Sequence, residues 1–425
     1  MSTDIHAVID AVWRMESAKI IGALARMLHD VGLAEEFTQD ALVTALEHWP
    51  QTGMPDNPAA WLMTAAKHRA LDYLRRKTML AHNQEALSHE LDTRHAMAAD
   101  EFNAAIDAAI DDDVGDDLLR LMFAACHPLL SADARVTLTL RLLGGLTSGE
   151  IARAFLVPEP TVAQRIVRAK RTLTAARVPF EVPRIDELPA RLMSVLEVIY
   201  LIFNEGYAAT AGSDWMRPAL CDEALRLGRI LAELVPQESE VHGLVALMEI
   251  QASRMSARID ANGAPILLLD QQRSRWDHLL IQRGLAALAR AEAQGGAYGS
   301  YTLQAAIAAC HARAHTPEQT DWIRIAALYD ALSQIVFSPV VELNRAVALA
   351  MAFGPAAGLE LVDALRDEPS LVNYHLLPSV RGDLLVKLGR CEEACNEFRR
   401  AAALTSNTRE RVLLEARAAA CLTAK

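Results

Sequence analysis

The sequence predicts an all-α protein, and three observations carry that prediction. Alanine, leucine and arginine dominate the 425 residues, while 20 glycines, 17 prolines and an aromatic share of 5% are modest. That composition favours helices. Apolar residues recur at helical spacing along most of the chain. Near the C-terminus, helical segments come in pairs punctuated by Gly354 and Gly389, 35 positions apart, which is the spacing of stacked helix-pair repeats, about 34 residues.

The length suggests two to four domains with ample cores. No stretch reaches about 18 uncharged apolar residues, so no membrane span is expected. The start, MSTDIHAVID, has no basic lead into an apolar run, so a cytoplasmic protein without a secretory signal is expected. Six cysteines are scattered through helical patterns. Cys391 and Cys395 share a helix face, but no second pair or nearby histidine completes a zinc set. Cys126–His127 has the residue types of a nucleophile and base, with nothing local to support that role. Reduced, buried thiols are expected, with no metal and no cofactor.

The net charge of −12 argues against nucleic acid until its distribution is read. Residues 81–117 carry 1 cation against 11 carboxylates, whereas residues 118–177 carry 9 cations against 3 carboxylates. The basic segment directly follows the most acidic one.

In chain order, residues 5–30 read as one helix, with Ile5, Val8, Ile9, Val12, Trp13, Ile20, Ile21, Leu24 and Met27 in period. Gly32 is its expected stop. A second helix spans Leu33 to Trp49. Phe37, Ala41, Leu42, Ala45 and Trp49 form its buried side, and Glu36, Asp40, Val43 and Glu47 line the other. That acidic stripe with one apolar residue suits either solvent or a basic partner helix. Residues 50–58, PQTGMPDNP, form a loop in which Asn57 caps the next helix and Pro58 opens it. That helix, Ala59 to Lys77, has Trp61, Leu62, Ala65, Ala66, Leu71 and Leu74 on its apolar side. It also carries Lys67, His68, Arg69, Arg75, Arg76 and Lys77. Cations plus a tryptophan suit melted DNA. The helix dipole accounts for Arg75–Lys77 but not for the mid-helix cations.

Residues 81–117 are too acidic to form a core and read as a linker, with short helical patches such as Phe102 to Ile110. From residue 118, Leu118, Leu121, Met122 and Cys126 form one helix face. Ser131 caps another helix containing Val136, Leu138, Leu140, Leu142 and Leu143. Next, GLTSGEIARAFLVPEPTVAQRIVRAKRTL (Gly145 to Leu173) reads as two short helices around a turn. Thr147 and Glu150 form a capping box, Val157–Pro158 breaks the first helix, and Pro160 sits in the first turn of the second. At about 100° per residue, Val162, Ile166, Ala169 and Leu173 face one way. Gln164, Arg168 and Arg171 face the other, flanked by Arg165 and Lys170. An apolar stripe opposite a basic, hydrogen-bonding stripe fits a helix-turn-helix whose second helix enters the major groove; a solvated amphipathic helix is the plainer account.

The segments AEEFTQDALVTALEHW, NPAAWLMTAAKHRALDYLRR and LTLRLLGGLTSGEIARAFLVPEPTVAQRIVRAKRTL, separated by an acidic linker, together resemble a bacterial RNA polymerase sigma factor. The closest likeness is to the two-domain extracytoplasmic-function (ECF) group of the sigma-70 family. The resemblance covers residues 5–78 and 118–177, and two motif blocks in order are far more specific than the helix-turn-helix alone. It implies that Glu36, Gln39, Asp40, Val43 and Glu47 grip the clamp of the polymerase's largest subunit. It also implies that Asn57, Trp61, Lys67, His68, Arg69, Arg75 and Arg76 melt and read the −10 element. His68 stands where relatives often hold asparagine, which leaves the −10 base preference open. Thr147, Thr161, Gln164, Arg165, Arg168, Lys170 and Arg171 would read the −35 element, with the polymerase flap as a further partner of that domain. The linker is then implied to thread toward the RNA exit path, or to act as a tether.

The implied organisation is region 2 at 1–80, linker at 81–117, region 4 at 118–180, and a helical, tetratricopeptide-like α-solenoid at 181–425, entered past Pro179, Pro183 and Pro189. Its repeat is firm over 339–405: helices Val340–Phe353, Pro355–Leu365, Tyr374–Leu388 and Cys391–Leu404. IYLIFNEGYAA (Ile199–Ala209) reads as a core helix ending at Gly206, or as an intramolecular contact between the extension and the DNA-binding half. The resemblance implies that this extension regulates activity in place of a separate anti-sigma factor.

Three functions compete. The first is a non-enzymatic sigma factor that partners core RNA polymerase and promoter DNA. The second is a helix-turn-helix regulator acting without core polymerase, which would need neither the acidic-striped helix nor the basic Trp61–Lys77 helix. The third is an enzyme in the C-terminal half, where no nucleophile elbow, phosphate loop, HExxH or paired-carboxylate signature is found.

Overall fold

The computed structural model describes residues 2–85, 114–212, 214–260 and 263–423. Among them the chain forms eighteen α-helices and one pair of two-residue parallel strands. It divides into two compact units, residues 1–198 and 199–425. Among the described residues no helix is long and apolar enough to cross a membrane.

In the first unit, α1 (Ser2–Leu28), α2 (Val31–Thr52) and α3 (Pro58–Glu85) pack on one another. Ile9, Ile20, Ile21, Leu24, Trp49 and Leu62 are sealed between them. Gly32 does not stop α1. The chain turns at His29, which takes a positive φ of 54°, and Asp30 caps α2 by accepting from Gly32 N at 2.7 Å and Leu33 N at 3.0 Å. A side-chain cap two residues earlier thus outweighs the glycine signal, and Gly32 lies in the first turn of α2. Helix α2 also runs through Pro50 to Thr52 and ends at Gly53, φ 86°, so the loop is shorter than expected. Asn57 caps α3 as expected, accepting from Ala60 N at 3.1 Å.

Helices α4 (Val114–Ala125), α5 (Ala132–Leu142), α6 (Ser148–Phe155) and α7 (Glu159–Ala175) follow. Helices α3 and α4 extend into both ends of the expected linker; the patch at 102–110 lies outside the described residues. Glycine at position 22 lets α1 and α4 approach closely, since a Cβ there would stand 3.1 Å from Asp117 O. The same Asp117 is 1% exposed and is ion-paired to Arg26 at 3.0 Å and Arg120 at 2.8 Å. The first half of α8 (Leu188–Tyr207) packs on this set through Ser194 Oγ donating to Cys126 O at 2.6 Å and Arg191 donating to Phe123 O at 2.8 Å.

The second unit holds the remainder of α8 and helices α9 (Pro218–Leu234), α10 (Ser239–Ala252), α11 (His278–Ala293), α12 (Ser300–Arg313) and α13 (Trp322–Ile335). Then come α14 (Pro339–Phe353), α15 (Pro355–Ala364), α16 (Leu376–Lys387), α17 (Cys391–Leu404) and α18 (Thr408–Thr423). The four helices expected over 339–405 are present, and both glycines between paired helices take positive φ, 103° at Gly354 and 75° at Gly389. Leu343, Val362, Leu384, Leu385, Phe398 and Ala401 fill the space between these pairs. One feature has no sequence signal. Ala211–Gly212 pairs in parallel with Ser406–Asn407, and buried Asn407 donates to Ala209 O at 3.1 Å and Asp214 O at 2.9 Å. The unit therefore closes back on its own beginning instead of remaining an open stack.

The stretch 199–209 is core helix through Tyr207. Ile199, Ile202 and Phe203 are buried, Tyr200 donates to Gln304 Oε1 at 3.2 Å, and the Tyr200 and Tyr301 rings lie 5.5 Å apart. Glu205 accepts from Thr210 Oγ at 2.9 Å and pairs with Arg217, holding the turn that follows. Gly206 is required by contact: a Cβ there would lie 2.7 Å from Cys221 N. Gly206→Ala is expected to destabilise the second unit by about 1–3 kcal/mol, the usual range for overpacking against fixed backbone. Thermal unfolding would show a lowered midpoint; an unchanged midpoint would mean α8 does not seat against α9 in this way.

Candidate functional site

The site is built on four helices of the first unit. On α2, residues Ala34, Thr38, Ala41, Ala45 and Trp49 are buried. This leaves Glu36, Asp40, Val43 and Glu47 exposed along the opposite side. Val43 is 52% exposed, an apolar residue open to solvent within a carboxylate stripe. Gln39 is half-buried and donates to Glu35. Asp40 does not stand alone: Arg69 of α3 reaches it at 3.6 Å and donates to Thr44 Oγ at 2.8 Å.

On α3, His68, Arg75 and Arg76 are exposed, whereas Trp61, Lys67 and Arg69 are half-buried. Trp61 packs edge-on against buried Trp49, ring centres 5.4 Å apart, so half of it serves the core and half remains available for stacking. Arg75 leans on Asp72 at 3.7 Å.

On α6 and α7 the helix-turn-helix geometry follows the sequence closely. Thr147 accepts from Glu150 N at 3.1 Å while Glu150 Oε2 accepts from Thr147 N at 2.8 Å, closing the capping box. Those bonds and Arg14 hold the Glu150 carboxyl below its usual value despite partial burial, which acts in the opposite sense. Leu156 takes the left-handed conformation, φ 51°, and turns the chain ahead of Pro158. Val162, Ile166, Ala169 and Leu173 are buried. Gln164, Arg168 and Arg171 are exposed on the opposite side, and Thr161 is half-buried at the start of the helix.

The flanking cations behave differently. Arg165 pairs with Asp133 of α5 at 2.9 Å. Lys170 reaches back to α2, where its ammonium meets Glu35 Oε2 as an ion pair. Glu35 is 2% exposed, and its Oε1 also accepts from Arg141 Nε of α5 at 2.6 Å. One buried carboxylate thus ties α2, α5 and α7 together. Thr174 Oγ adds a bond to Asp30 Oδ2 at 3.3 Å, Arg14 pairs with Glu150 at 2.8 Å, and Trp13 Nε1 donates to Gly145 O at 3.3 Å. Sequence reasoning missed Glu35. The available signal was a carboxylate placed among Ala34, Thr38 and Ala41 on the apolar side, which demands a buried cationic partner.

Cys126 and His127 do not form a catalytic pair. The thiol is buried beside Thr139, and burial pushes it up to about 11. His127 is pushed down to about 4 by burial and by Arg191. A thiol so far from ionisation is a packing residue. Among the described residues, no group of three His, Cys, Asp or Glu side chains could hold a metal ion.

A profile for sigma-70 region 2 matches residues 13–79, covering α1 to α3, and one for sigma-70 region 4 matches residues 120–173, covering α4 to α7. A family of unknown function (DUF6596) matches residues 191–292. An uncharacterised protein of Rhizobium meliloti is 45% identical over 391 residues, 92% of this chain and 90% of its own length. The ECF RNA polymerase sigma factor SigL of Mycobacterium tuberculosis is 27% identical over 168 residues, 39% of this chain and 87% of SigL. The ECF RNA polymerase sigma factor SigK of Mycobacterium ulcerans is 29% identical over 188 residues, 40% of this chain and 92% of SigK.

Glu35→Gln is expected to loosen α7 from α2, because removing one member of a buried ionic cluster leaves the others without compensation. Lysine acetylation read by mass spectrometry would detect it. Lys170 should be protected relative to exposed Lys77 in the parent chain and become about tenfold more reactive in the variant, the change that about 1.4 kcal/mol produces. Equal Lys170 reactivity in both proteins would show that Glu35 does not hold it.

Proposed function

Because the chain belongs to the ECF group of the sigma-70 family, we propose that it binds core RNA polymerase through α2, carries it to promoters through α3 and α7, and is regulated by its C-terminal unit. The family is not one of enzymes, and the nucleotide chemistry belongs to the polymerase. The observation that carries the proposal is the coexistence of two complementary surfaces on one chain: an exposed acidic-apolar stripe on α2 and an exposed glutamine-arginine stripe on α7. A regulator acting on DNA alone has no use for the first.

On α2, Glu36, Asp40 and Glu47 would meet cations of a polymerase helix, while Val43 supplies the apolar contact at their centre and Gln39 a flanking bond. On α3, Lys67, Arg69, Arg75 and Arg76 would take phosphates. Trp61 and His68 would lie against unpaired bases, and Asn57 fixes the start of the helix that presents them. On α7, Gln164, Arg168 and Arg171 suit base edges, with Thr147, Thr161, Arg165 and Lys170 at the backbone. The surrounding excess of carboxylates repels DNA elsewhere and leaves the basic segment as the landing place.

Distance adds a requirement. The −10 and −35 elements are about 25 base pairs apart by name, or roughly 85 Å of B-form DNA. In this structure α7 touches α2 through Lys170 and Glu35, so the present form cannot hold both elements at once. Residues 86–113 are 28 residues of intervening chain, and fully extended they reach roughly 90–100 Å. The chain length therefore suffices for an open form, and the Glu35 cluster would be given up when polymerase binds.

Reconstitution with core polymerase and run-off transcription tests the proposal. A chain that neither joins core nor supports promoter-dependent transcripts would overturn it. Arg168→Ala is expected to weaken −35 binding by about 1–3 kcal/mol on the preferred sequence only, if the arginine reads a base; an equal loss on every sequence would reduce it to a phosphate contact. Asp40→Arg should lower core binding, measured by competition for core, without lowering the promoter-DNA affinity of the free chain, measured by fluorescence anisotropy, since it frees Arg69 and adds a cation. Removing 181–425 should change promoter activity, and unaltered transcription would refute regulation by that part.

A further inference from the structure

Three arginines of the second unit lie together with no carboxylate at ion-pair distance among the described residues; Glu318 acts on Arg273 only from farther off. Arg254 is 9% exposed and Arg258 8%, and half-buried Arg273 lies beside Arg254. They alternate with aromatic rings. The Arg258 guanidinium sits 5.7 Å from the Trp215 ring and 3.6 Å from that of Tyr207. Arg254 sits 5.9 Å from Tyr207 and 5.7 Å from Trp276, and Arg273 5.0 Å from Trp276. Their hydrogen bonds go to neutral acceptors. Arg258 donates to Tyr207 O, and Arg254 to Gln251 and, at 2.8 Å, to Tyr207 Oη. Arg273 donates to His311 O, to Ala314 O at 2.7 Å and to Thr320 Oγ at 3.0 Å.

Among the described residues none of the three is ion-paired to a carboxylate. Other arginines of the same unit are: Arg381 with Asp363 and Glu397, Arg217 with Glu205, and Arg229 with Glu249. The lack of compensation is visible in the neighbours. Burial lowers the Arg258 and Arg273 guanidinium groups from their ordinary value, with Arg254 adding to both shifts. His311 is pushed down to about 3 by burial and then by Arg254 and Arg273. Arg254 Nε, Arg273 Nε and Trp276 Nε1 are buried N–H groups with no acceptor, and Gln271 Oε1 and His311 Nδ1 are likewise unpartnered. Ring faces return only part of what burying a cation costs. Clustered cations with unused buried donors are the chemistry that recognises a negative group.

We propose that this cluster is the binding site of a small oxyanion, the phosphate or carboxylate group of a soluble ligand, held by Arg254, Arg273 and the Trp276 indole, with Arg258, stacked on Tyr207, adding charge nearby. Guanidinium forks match the geometry of both groups. Arg254 and Arg273 flank the same indole and act on the same histidine, which places their idle N–H groups in one neighbourhood. The donors of the site lie within residues 191–292, the stretch matched by the family of unknown function, while the groups that hold Arg273 follow just after it, so the site has a chemistry independent of promoter recognition.

The full-length chain, labelled with 15N-tryptophan, tests this. Its six indole signals are followed while inorganic phosphate, acetate or chloride is added at constant ionic strength, and the Trp276 signal is assigned through Trp276→Phe. Saturable movement of that signal with phosphate or acetate, absent with chloride, is expected, and a rise of the thermal midpoint with concentration should accompany it. Response to phosphate alone assigns a phosphate group, and response to acetate alone a carboxylate. Arg254→Met and Arg273→Met should each raise the half-saturating concentration at least about tenfold, while exposed Arg399→Gln should not. No saturable movement with either anion overturns the proposal, as does undiminished affinity in both methionine variants. The parent-chain titration decides the matter even if those variants fail to fold.

Discussion

The arrangement of the first unit depends on one buried carboxylate. Glu35 is nearly sealed from water, and two cations from separate helices, Arg141 and Lys170, converge on it. A carboxylate in that position is unfavourable without both. With both, it holds the helix expected to meet polymerase against the helix expected to meet DNA. An apolar contact of similar area would bind regardless of alternatives. An ionic contact binds only while no better partner competes, because its strength falls steeply as water or another charge enters. Such a contact suits a joint that has to open.

Lys170 shows what this means for recognition. The wheel of α7 placed it at the flank of a basic stripe, and the structure keeps it there, half-buried and engaged. Gln164, Arg168 and Arg171 have no such engagement with α2 and stay exposed. The stripe is thus divided: its centre waits in solvent while one edge is fastened inside. Neutralising that edge within the protein also weakens its pull on DNA phosphates.

The sequence was most readable where local chemistry dictates local geometry. Thr147 with Glu150, Asn57 with Pro58, and the glycines at 354 and 389 act within a few residues of themselves, and each stands where the pattern placed it. Gly32 misled because glycine is only one way to end a helix; Asp30, a competing cap, lay two residues upstream. The long-range pairs were invisible for a different reason. Nothing near Glu35 reveals that its partners sit 106 and 135 positions away, and Asn407 gives no local hint that it will donate to Ala209 and Asp214. Helical periodicity reports which face is buried, not what covers it.

The same distinction separates the two populations of arginine in this chain. On α7 Arg168 and Arg171 are exposed and repel one another weakly through water. In the second unit Arg254 and Arg258 lie where repulsion is scarcely screened, yet the fold keeps them together on shared rings instead of giving each a carboxylate. Arg381, Arg217 and Arg229 show that the same unit can supply carboxylates where a cation needs one. Where a fold pairs some of its inward cations and, among the described residues, leaves an adjoining set without an ion pair, a charge from outside would be the missing match for that set. In a protein whose −12 balance already repels anions at long range, only a ligand that gains short-range guanidinium and indole bonds would stay there. Selectivity would then come from the buried donors, and the net charge would keep unrelated anions away.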